Sequence, residues 1–237
     1  MTLPSSAAPL IELADIHLTL ASAAGAVNIL RGVDLNVDRG ESLAVVGPSG
    51  SGKSTMMMLV AGLERPSRGI IRVAGHDLAA MDEDALALFR RQNVGIVFQS
   101  FHLIPAMTAI ENVAVPLEFA GRDDAFARAQ AALESVGLGH RLTHYPGQLS
   151  GGEQQRVALA RAVATEPAVI LADEPTGNLD AASGAAIIDL LFTLRARCNS
   201  TLLLITHDND LAARCDRTVR MHDGRLHAEP RQLRAAQ

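Results

Sequence analysis

Aromatic residues are scarce in this sequence: no tryptophan, one tyrosine and six phenylalanines among 237 residues. Platforms that stack unpaired bases need such rings, so single-stranded nucleic acid is not an expected ligand. Cysteine is scarcer still. Cys198 and Cys215 are the only two, which excludes a disulfide framework and a cysteine-rich zinc site and suits a reducing cytosol. Basic residues number 21 against 26 acidic ones, a formal net charge of −5, so a broad polyanion-binding surface is not expected. No apolar run approaches the ~18 residues needed to cross a bilayer. The N-terminal segment has no basic residue ahead of an apolar stretch, so no secretory signal is expected.

What remains is ordinary for a globular chain: 48% apolar and 20% charged residues. The length predicts one large domain, 1–237, with core enough to need neither disulfide nor metal. Residues 1–9 read as frayed. Strands are expected at 11–20, 27–30 and 33–37, with a turn or hairpin at 23–25. A buried parallel strand follows at 42–46, then a Gly/Ser-rich loop at 47–52 and a helix at 53–63. Strand 69–74, helix 82–91 with Asp82 as N-cap, and strand 94–98 come next. Residues 100 to about 164 are mostly helical. Strands at 168–172 and 202–206 then flank a helix at 181–197, and 217–222 and 225–228 close the pattern. The expected fold is α/β, with an early antiparallel β layer and a helical insertion.

The strongest motif is Gly47-Pro48-Ser49-Gly50-Ser51-Gly52-Lys53-Ser54-Thr55. It follows a strand and opens a helix, the context that marks a phosphate-binding loop. Glycines let successive N–H groups turn inward toward phosphate oxygens, and the helix adds its positive end. Lys53 would meet the β- and γ-phosphates of ATP, and Ser54 would offer its hydroxyl to Mg²⁺. A second motif is the apolar strand ending in Asp173-Glu174. In a parallel sheet the carboxyl ends of strands line the ligand crevice. Asp173 is the expected Mg²⁺ partner through water, and Glu174 the general base for the attacking water.

A third motif, Leu149-Ser150-Gly151-Gly152-Glu153-Gln154-Gln155-Arg156, resembles the signature of ABC-type ATPases. Gln99 resembles that family's Q-loop glutamine, Gly177-Asn178-Leu179-Asp180 its D-loop, and His207 its switch histidine. The resemblance spans about residues 10–228. It implies a P-loop NTPase (RecA-like) core, about 10–99 and 165–228, carrying the antiparallel β layer. A helical signature subdomain would occupy about 100–164, and 229–237 would be a tail. It also implies a head-to-tail dimer with a second copy, in which Ser150, Gly151 and Gly152 cap the partner's ATP. Gln99 would touch Mg²⁺ and water, and His207 would contact the γ-phosphate and hold the geometry of Glu174. Many relatives stack an aromatic residue on adenine. Leu20 takes the matching position here, so apolar contact is expected in place of stacking.

Shorter stretches narrow the resemblance. Phe98-Gln99-Ser100-Phe101-His102-Leu103-Ile104-Pro105, Ile110-Glu111-Asn112-Val113, Ala172-Asp173-Glu174-Pro175-Thr176-Gly177-Asn178-Leu179-Asp180 and Leu211-Ala212-Ala213-Arg214-Cys215-Asp216 together resemble the lipoprotein-release and macrolide-export branch, YbbA-like subunits in particular. That branch implies an ATPase on the cytoplasmic face of a bacterial inner membrane. It would be held there by a separate integral membrane permease, and would export or extract lipid, lipoprotein or hydrophobic compounds. A regulatory ATPase signalling across the membrane in cell division, and an ABC ATPase without transport, are the alternatives. About half of Phe101, Leu103, Ile104, Met107, Ile110 and Val113 are expected in the core of the helical subdomain, while Phe101, Leu103 and Ile104 are expected to help form a groove for a cytoplasmic helix of the permease.

Overall fold

Every residue of Ser42–Val46 is buried, and so is every residue of Thr201–Ile205. Strands without a solvent face need a hydrophobic layer on both sides, and the chain supplies two. The computed structural model describes residues 8–22 and 25–228. Among them run β1 (Ile11–Ser22), β2 (Gly25–Val37), β3 (Ser42–Val46), α1 (Lys53–Val60), β4 (Arg68–Val73), β5 (His76–Asp77), α2 (Glu83–Asn93) and β6 (Val94–Phe98). Then come α3 (Ala109–Phe119), α4 (Ala125–Ser135), α5 (Gly151–Val163), β7 (Val169–Asp173), α6 (Ala181–Cys198), β8 (Thr201–Ile205), α7 (Asn209–Ala212), β9 (Arg217–His222) and β10 (Arg225–Ala228). The expected tail 229–237 and the turn residues 23–24 lie outside the described residues, as does most of the segment read as frayed.

The central sheet has the order β10-β9-β3-β8-β7-β6, parallel except for β10. Its strands alternate between two cores. Leu43, Val45, Val169, Leu171, Leu203 and Ile205 face one core, shared with α1 and the antiparallel layer β2-β1-β4-β5. Ala44, Val46, Ile170, Ala172, Leu202 and Leu204 face the other, shared with α3, α4, α5 and α6. Period-two alternation thus gives each strand one foot in the β layer and one in the helical layer.

The two strands expected at 27–30 and 33–37 are one strand, β2. Gly32 sits in the left-handed region at φ 77, so the chain kinks there without leaving the sheet. The ladder with β1 absorbs the kink as a register shift between Ile16, which pairs with Val33, and His17, which pairs with Arg31. Helix α1 stops at Val60, short of the expected 63, because Gly62 turns left-handed at φ 65. The four-residue helix α7 and the two-residue strand β5 were too short to show a period in the sequence. Among the described residues no helix is long and apolar enough to cross a membrane.

Helix starts follow their sequence signals. Asp82 accepts from the Ala85 amide and Asp180 from the Ser183 amide. Thr108 with Glu111, and Ser150 with Glu153, form reciprocal capping boxes. Between β6 and α3, the fully buried Asn112 shapes the connection. Its amide donates to the carbonyls of Ile104, Met107 and Thr108, and its oxygen accepts from the Ile104 amide.

Candidate active site

Strand β3 ends at Val46, and the loop to α1 follows at once. Gly47, Gly50 and Gly52 all have positive φ, at 151, 76 and 105. Gly47 also has no room for a side chain, since a Cβ there would run into the backbone carbonyl of Met221. Gly52 is the N-cap of α1 and offers no side-chain cap, and the first turn carries no acid. The helix therefore opens with free N–H groups, suited to an anion. Lys53 Nζ donates to the carbonyls of Gly47 at 2.9 Å and Pro48 at 2.8 Å, holding the loop closed around its own charge. Ser51 is buried, its amide donating to the Pro48 carbonyl.

A cavity of about 520 Å³ opens over this loop. Its wall takes Gly47, Ser49, Gly50, Gly52, Lys53, Ser54 and Thr55 from the loop and α1, Gln99 from beyond β6, Asp173 from the end of β7 and Glu174 just after it, Ile205 from the end of β8 and His207 beyond it, and Ile29 from β2. Parallel register explains the convergence. Phe98 pairs with Asp173, and Asp173 with Ile205, so the residues that follow all emerge at one edge of the sheet. Leu20 does not line this cavity. It is exposed on β1 opposite Val27, and the apolar side chains in the wall are Ile29 and Ile205. Sequence reasoning did not single out Ile29, although the strand it occupies was expected.

Glu174 adopts a left-handed conformation at φ 46, which costs a non-glycine residue about 1–3 kcal/mol. Its amide donates to the Ile205 carbonyl at 3.0 Å, and its carbonyl accepts from the Gly177 amide at 3.0 Å. Oε1 lies 2.9 Å from His207 Nδ1. Ser54, Asp173 and Gln99 supply a hydroxyl, a carboxylate and an amide oxygen in the same wall. A few hard oxygen donors beside a phosphate cradle fit a hydrated Mg²⁺ shared with phosphate oxygens. Among the described residues no cluster of three acidic, histidine or cysteine side chains forms a closed metal cage.

Beyond Glu174 the chain folds back on Gln99. Asn178 Nδ2 donates to the Gln99 carbonyl at 3.0 Å, and Gln99 Nε2 donates to Asn178 Oδ1 at 3.3 Å. Leu179 and Asp180 lead from there into α6.

The signature residues stand apart from the loop cavity. Ser150 caps α5, and the Ser150 amide beside Glu153 holds that carboxyl below its ordinary value, helped by the Ser150 hydroxyl and Arg141. Leu149 is buried, and its carbonyl accepts from Gln154 Nε2 at 3.0 Å. Ser150, Gly152 and Glu153 line a recess of about 320 Å³ with Arg156, Ser183 and Ile187. A Cβ on Gly151 would lie 3.4 Å from Leu179 and 3.8 Å from Phe101.

Two further residues of α5 bear on the site. The fully buried Gln155 donates through Nε2 to the Pro175 carbonyl at 2.6 Å and the Phe98 carbonyl at 3.4 Å. Arg161 donates to the carbonyls of Phe101 at 2.8 Å and His102 at 2.6 Å, and burial pushes its pKa down. Phe101 and His102 are both left-handed, at φ 59 and 50, and the His102 ring stacks on Phe98 at 4.6 Å. A glutamine on the apolar stripe of α5 was the only trace of these ties in the sequence. Of the expected docking residues, Ile104 is exposed, Phe101 is half-buried and Leu103 packs against the helical core. A separate groove between α2 and α3 is lined by Leu88, Arg91, Pro116 and Phe119 among others.

A phosphate loop between a parallel strand and a helix, with an acidic strand end beside it, defines a P-loop nucleoside triphosphatase of RecA-like fold. The solved ATP-binding cassette MJ0796, a bacterial ABC transporter cassette in dimeric form, has this fold. It matches with TM-score 0.87 and 39% identity, over 95% of this chain and 100% of that one. A second dimeric structure of MJ0796, in a post-hydrolysis state bound to ADP and Pi, matches at 38% identity with the same TM-score of 0.87 and the same coverage, 95% and 100%. The chain belongs to the ABC transporter family, whose model matches residues 30–177, and it is an ATP-binding subunit of that family. It is 50% identical to the uncharacterised ABC transporter ATP-binding protein YbbA of Escherichia coli, over 93% of this chain and 97% of that protein. It is 46% identical to the lipoprotein-releasing system ATP-binding protein LolD of Geobacter metallireducens, over 93% and 99%. Against the macrolide export ATP-binding/permease protein MacB of Marinobacter nauticus it is 49% identical, over 92% of this chain but 34% of that longer protein.

Proposed function

We propose that this chain hydrolyses ATP with Mg²⁺ as a closing homodimer, and that closure drives a separate inner-membrane permease acting on lipid, lipoprotein or hydrophobic envelope substrates. The observation that carries the chemistry is the single cavity that gathers Lys53, Ser54, Gln99, Asp173, Glu174 and His207. Lys53 and the loop amides bind the β- and γ-phosphates. Ser54, Gln99 and Asp173 would hold Mg²⁺, which would supply neutralisation of charge on the phosphate oxygens. Glu174 accepts a proton from water as its oxygen attacks the γ-phosphorus and the bond to the ADP oxygen breaks. His207 keeps the Glu174 carboxylate in place. The adenine base rests on apolar contact, with Ile29 in the cavity wall and Leu20 outside it on the neighbouring strand.

Ser150, Gly151, Gly152 and the flanking Leu149, Glu153 and Gln154 close the γ-phosphate held by a partner subunit, with Asn178, Leu179 and Asp180 at the same junction. Support comes from the place of Ser150, Gly151 and Gly152 at the start of α5, away from the loop cavity, and from the dimeric form of MJ0796. The resemblance to YbbA, LolD and MacB supports the branch and the permease, and with them a place on the cytoplasmic face of the inner membrane. Residues about 100–164 act as the subdomain that couples closure to the permease.

Glu174→Gln tests the chemistry. The variant keeps shape and polarity and removes the base, so ATP binding should persist while phosphate release falls by about 10²–10⁴-fold. With ATP it should accumulate as a dimer. Near-normal turnover would remove Glu174 from this role.

A further inference from the structure

Gln99 and Asn178 are 79 positions apart and exchange two hydrogen bonds. One of these has only one possible polarity. The Gln99 backbone carbonyl accepts, and the only side-chain group of Asn178 that can donate to it is Nδ2. Oδ1 is then the atom that Asn178 turns to the Gln99 side chain. An acceptor oxygen admits only the NH₂ end of the glutamine amide. The backbone carbonyl therefore fixes, through Asn178, which way round the Gln99 amide lies: Nε2 is engaged and Oε1 is left free, on a residue that lines the loop cavity.

Gly177 completes the arrangement. A Cβ at that position would come within 2.6 Å of Gln99 Nε2, so the glycine leaves the space that the amide fills. The Gly177 amide donates to the Glu174 carbonyl at 3.0 Å, which ties the same turn to the acidic strand end.

A magnesium ion takes oxygen ligands, so the orientation of a glutamine amide decides whether that side chain can serve one. We propose that Asn178 is a positioning residue for Gln99, turning its Oε1 toward the metal of bound Mg-ATP by occupying its Nε2. This rests on the metal-binding role proposed above for Gln99. Residues that orient a metal ligand typically change metal affinity by about 10–100-fold when removed.

The test is Mn²⁺ titration by electron paramagnetic resonance in the Glu174→Gln background with ATP, where turnover is slowed by about 10²–10⁴-fold. Asn178→Ala should weaken Mn²⁺ binding by about ten-fold and leave ATP binding without divalent ion unchanged. Gly177→Ala keeps Asn178 but occupies the space of the amide, and should weaken Mn²⁺ in the same direction. Asn178→Ala combined with Gln99→Ala should be no weaker than Gln99→Ala alone, since one effect acts through the other. If Gln99→Ala leaves Mn²⁺ affinity unchanged, the metal role of Gln99 falls, and the proposal with it. If Gln99→Ala weakens Mn²⁺ and Asn178→Ala does not, only the positioning role falls. Additive losses, or a loss of metal-free ATP binding in Asn178→Ala, also overturn it, because they assign Asn178 a separate or purely structural part.

Discussion

Glu174 Oε1 lies 2.9 Å from His207 Nδ1, and the two residues leave the carboxyl ends of adjacent parallel strands, β7 and β8. The exposures of the two side chains differ: 19% for Glu174 and 76% for His207. The carboxylate is sheltered and the ring stands in the open, so the histidine is the member that a nucleotide or a second subunit would cover. His207→Ala should lower kcat by about 10²-fold or more and leave KM for ATP within a few-fold, since it disturbs the base and not the cradle. Steady-state kinetics check this. An equal loss in kcat/KM and in nucleotide binding would assign His207 to substrate binding instead.

Gly151→Asp separates the two halves of the proposed composite site. Ordinary contact distances to Leu179 and Phe101 leave room for a Cβ there, so the variant should fold and bind ATP at its own phosphate loop. The new carboxylate would meet the partner's γ-phosphate, and like charges in close contact are costly. ATP-dependent dimerisation of the Glu174→Gln protein should be lost when Gly151→Asp is added. A dimer that persists in size-exclusion chromatography would sink the shared-site arrangement.

The apolar segment after β6 splits into two kinds of residue. Leu103 packs against the helical core and Ile104 is 39% exposed. Leu103→Asp should therefore destabilise the protein, by about 2–5 kcal/mol for a charge placed against a core. Ile104→Asp should leave the melting temperature and basal ATPase within a few-fold of normal, and weaken permease capture in a pull-down. Full permease retention by Ile104→Asp would take this residue out of the docking surface.

Acid should loosen the starts of α3 and α5. Glu153 is held below its ordinary value of 4.5, chiefly by the Ser150 amide, and Glu111 likewise by the Thr108 hydroxyl. A depressed carboxylate stabilises the fold above its unfolded pKa, and that contribution disappears as pH falls through the folded value. Melting temperature should drop between about pH 4.5 and lower values, and drop less in Glu153→Gln, which keeps the capping hydrogen bonds without a proton to gain. Identical acid slopes for both proteins would place the loss elsewhere.

The phosphate loop was legible because its signal is local: glycine spacing, one lysine, a strand before and a helix after. The acidic strand end needed only an apolar run ending in Asp173-Glu174. Gln99, His207 and the Asn178 turn were legible only through likeness to a family, since single polar residues carry no period. The ties of Gln155 and Arg161 to distant carbonyls were not legible. They depend on which face of α5 meets which strand end, and that is settled by packing across dozens of residues. The single strand β2 was misread as two because Gly32 looks like a terminator in sequence. In the sheet it is a bulge that the partner strand tolerates.

Helix α5 carries its devices in a row. Ser150 stands at its mouth, Gln155 grips the Phe98 and Pro175 carbonyls, and Arg161 grips those of Phe101 and His102. The eleven steps from Ser150 to Arg161 span about 16 Å at 1.5 Å per residue. The helix is thus a lever with its fulcrum among those carbonyls and its working end at the signature. Val157, Leu159, Ala160, Ala162 and Val163 of the same helix are buried in the helical core, so any tilt that swings the signature carries that core layer with it.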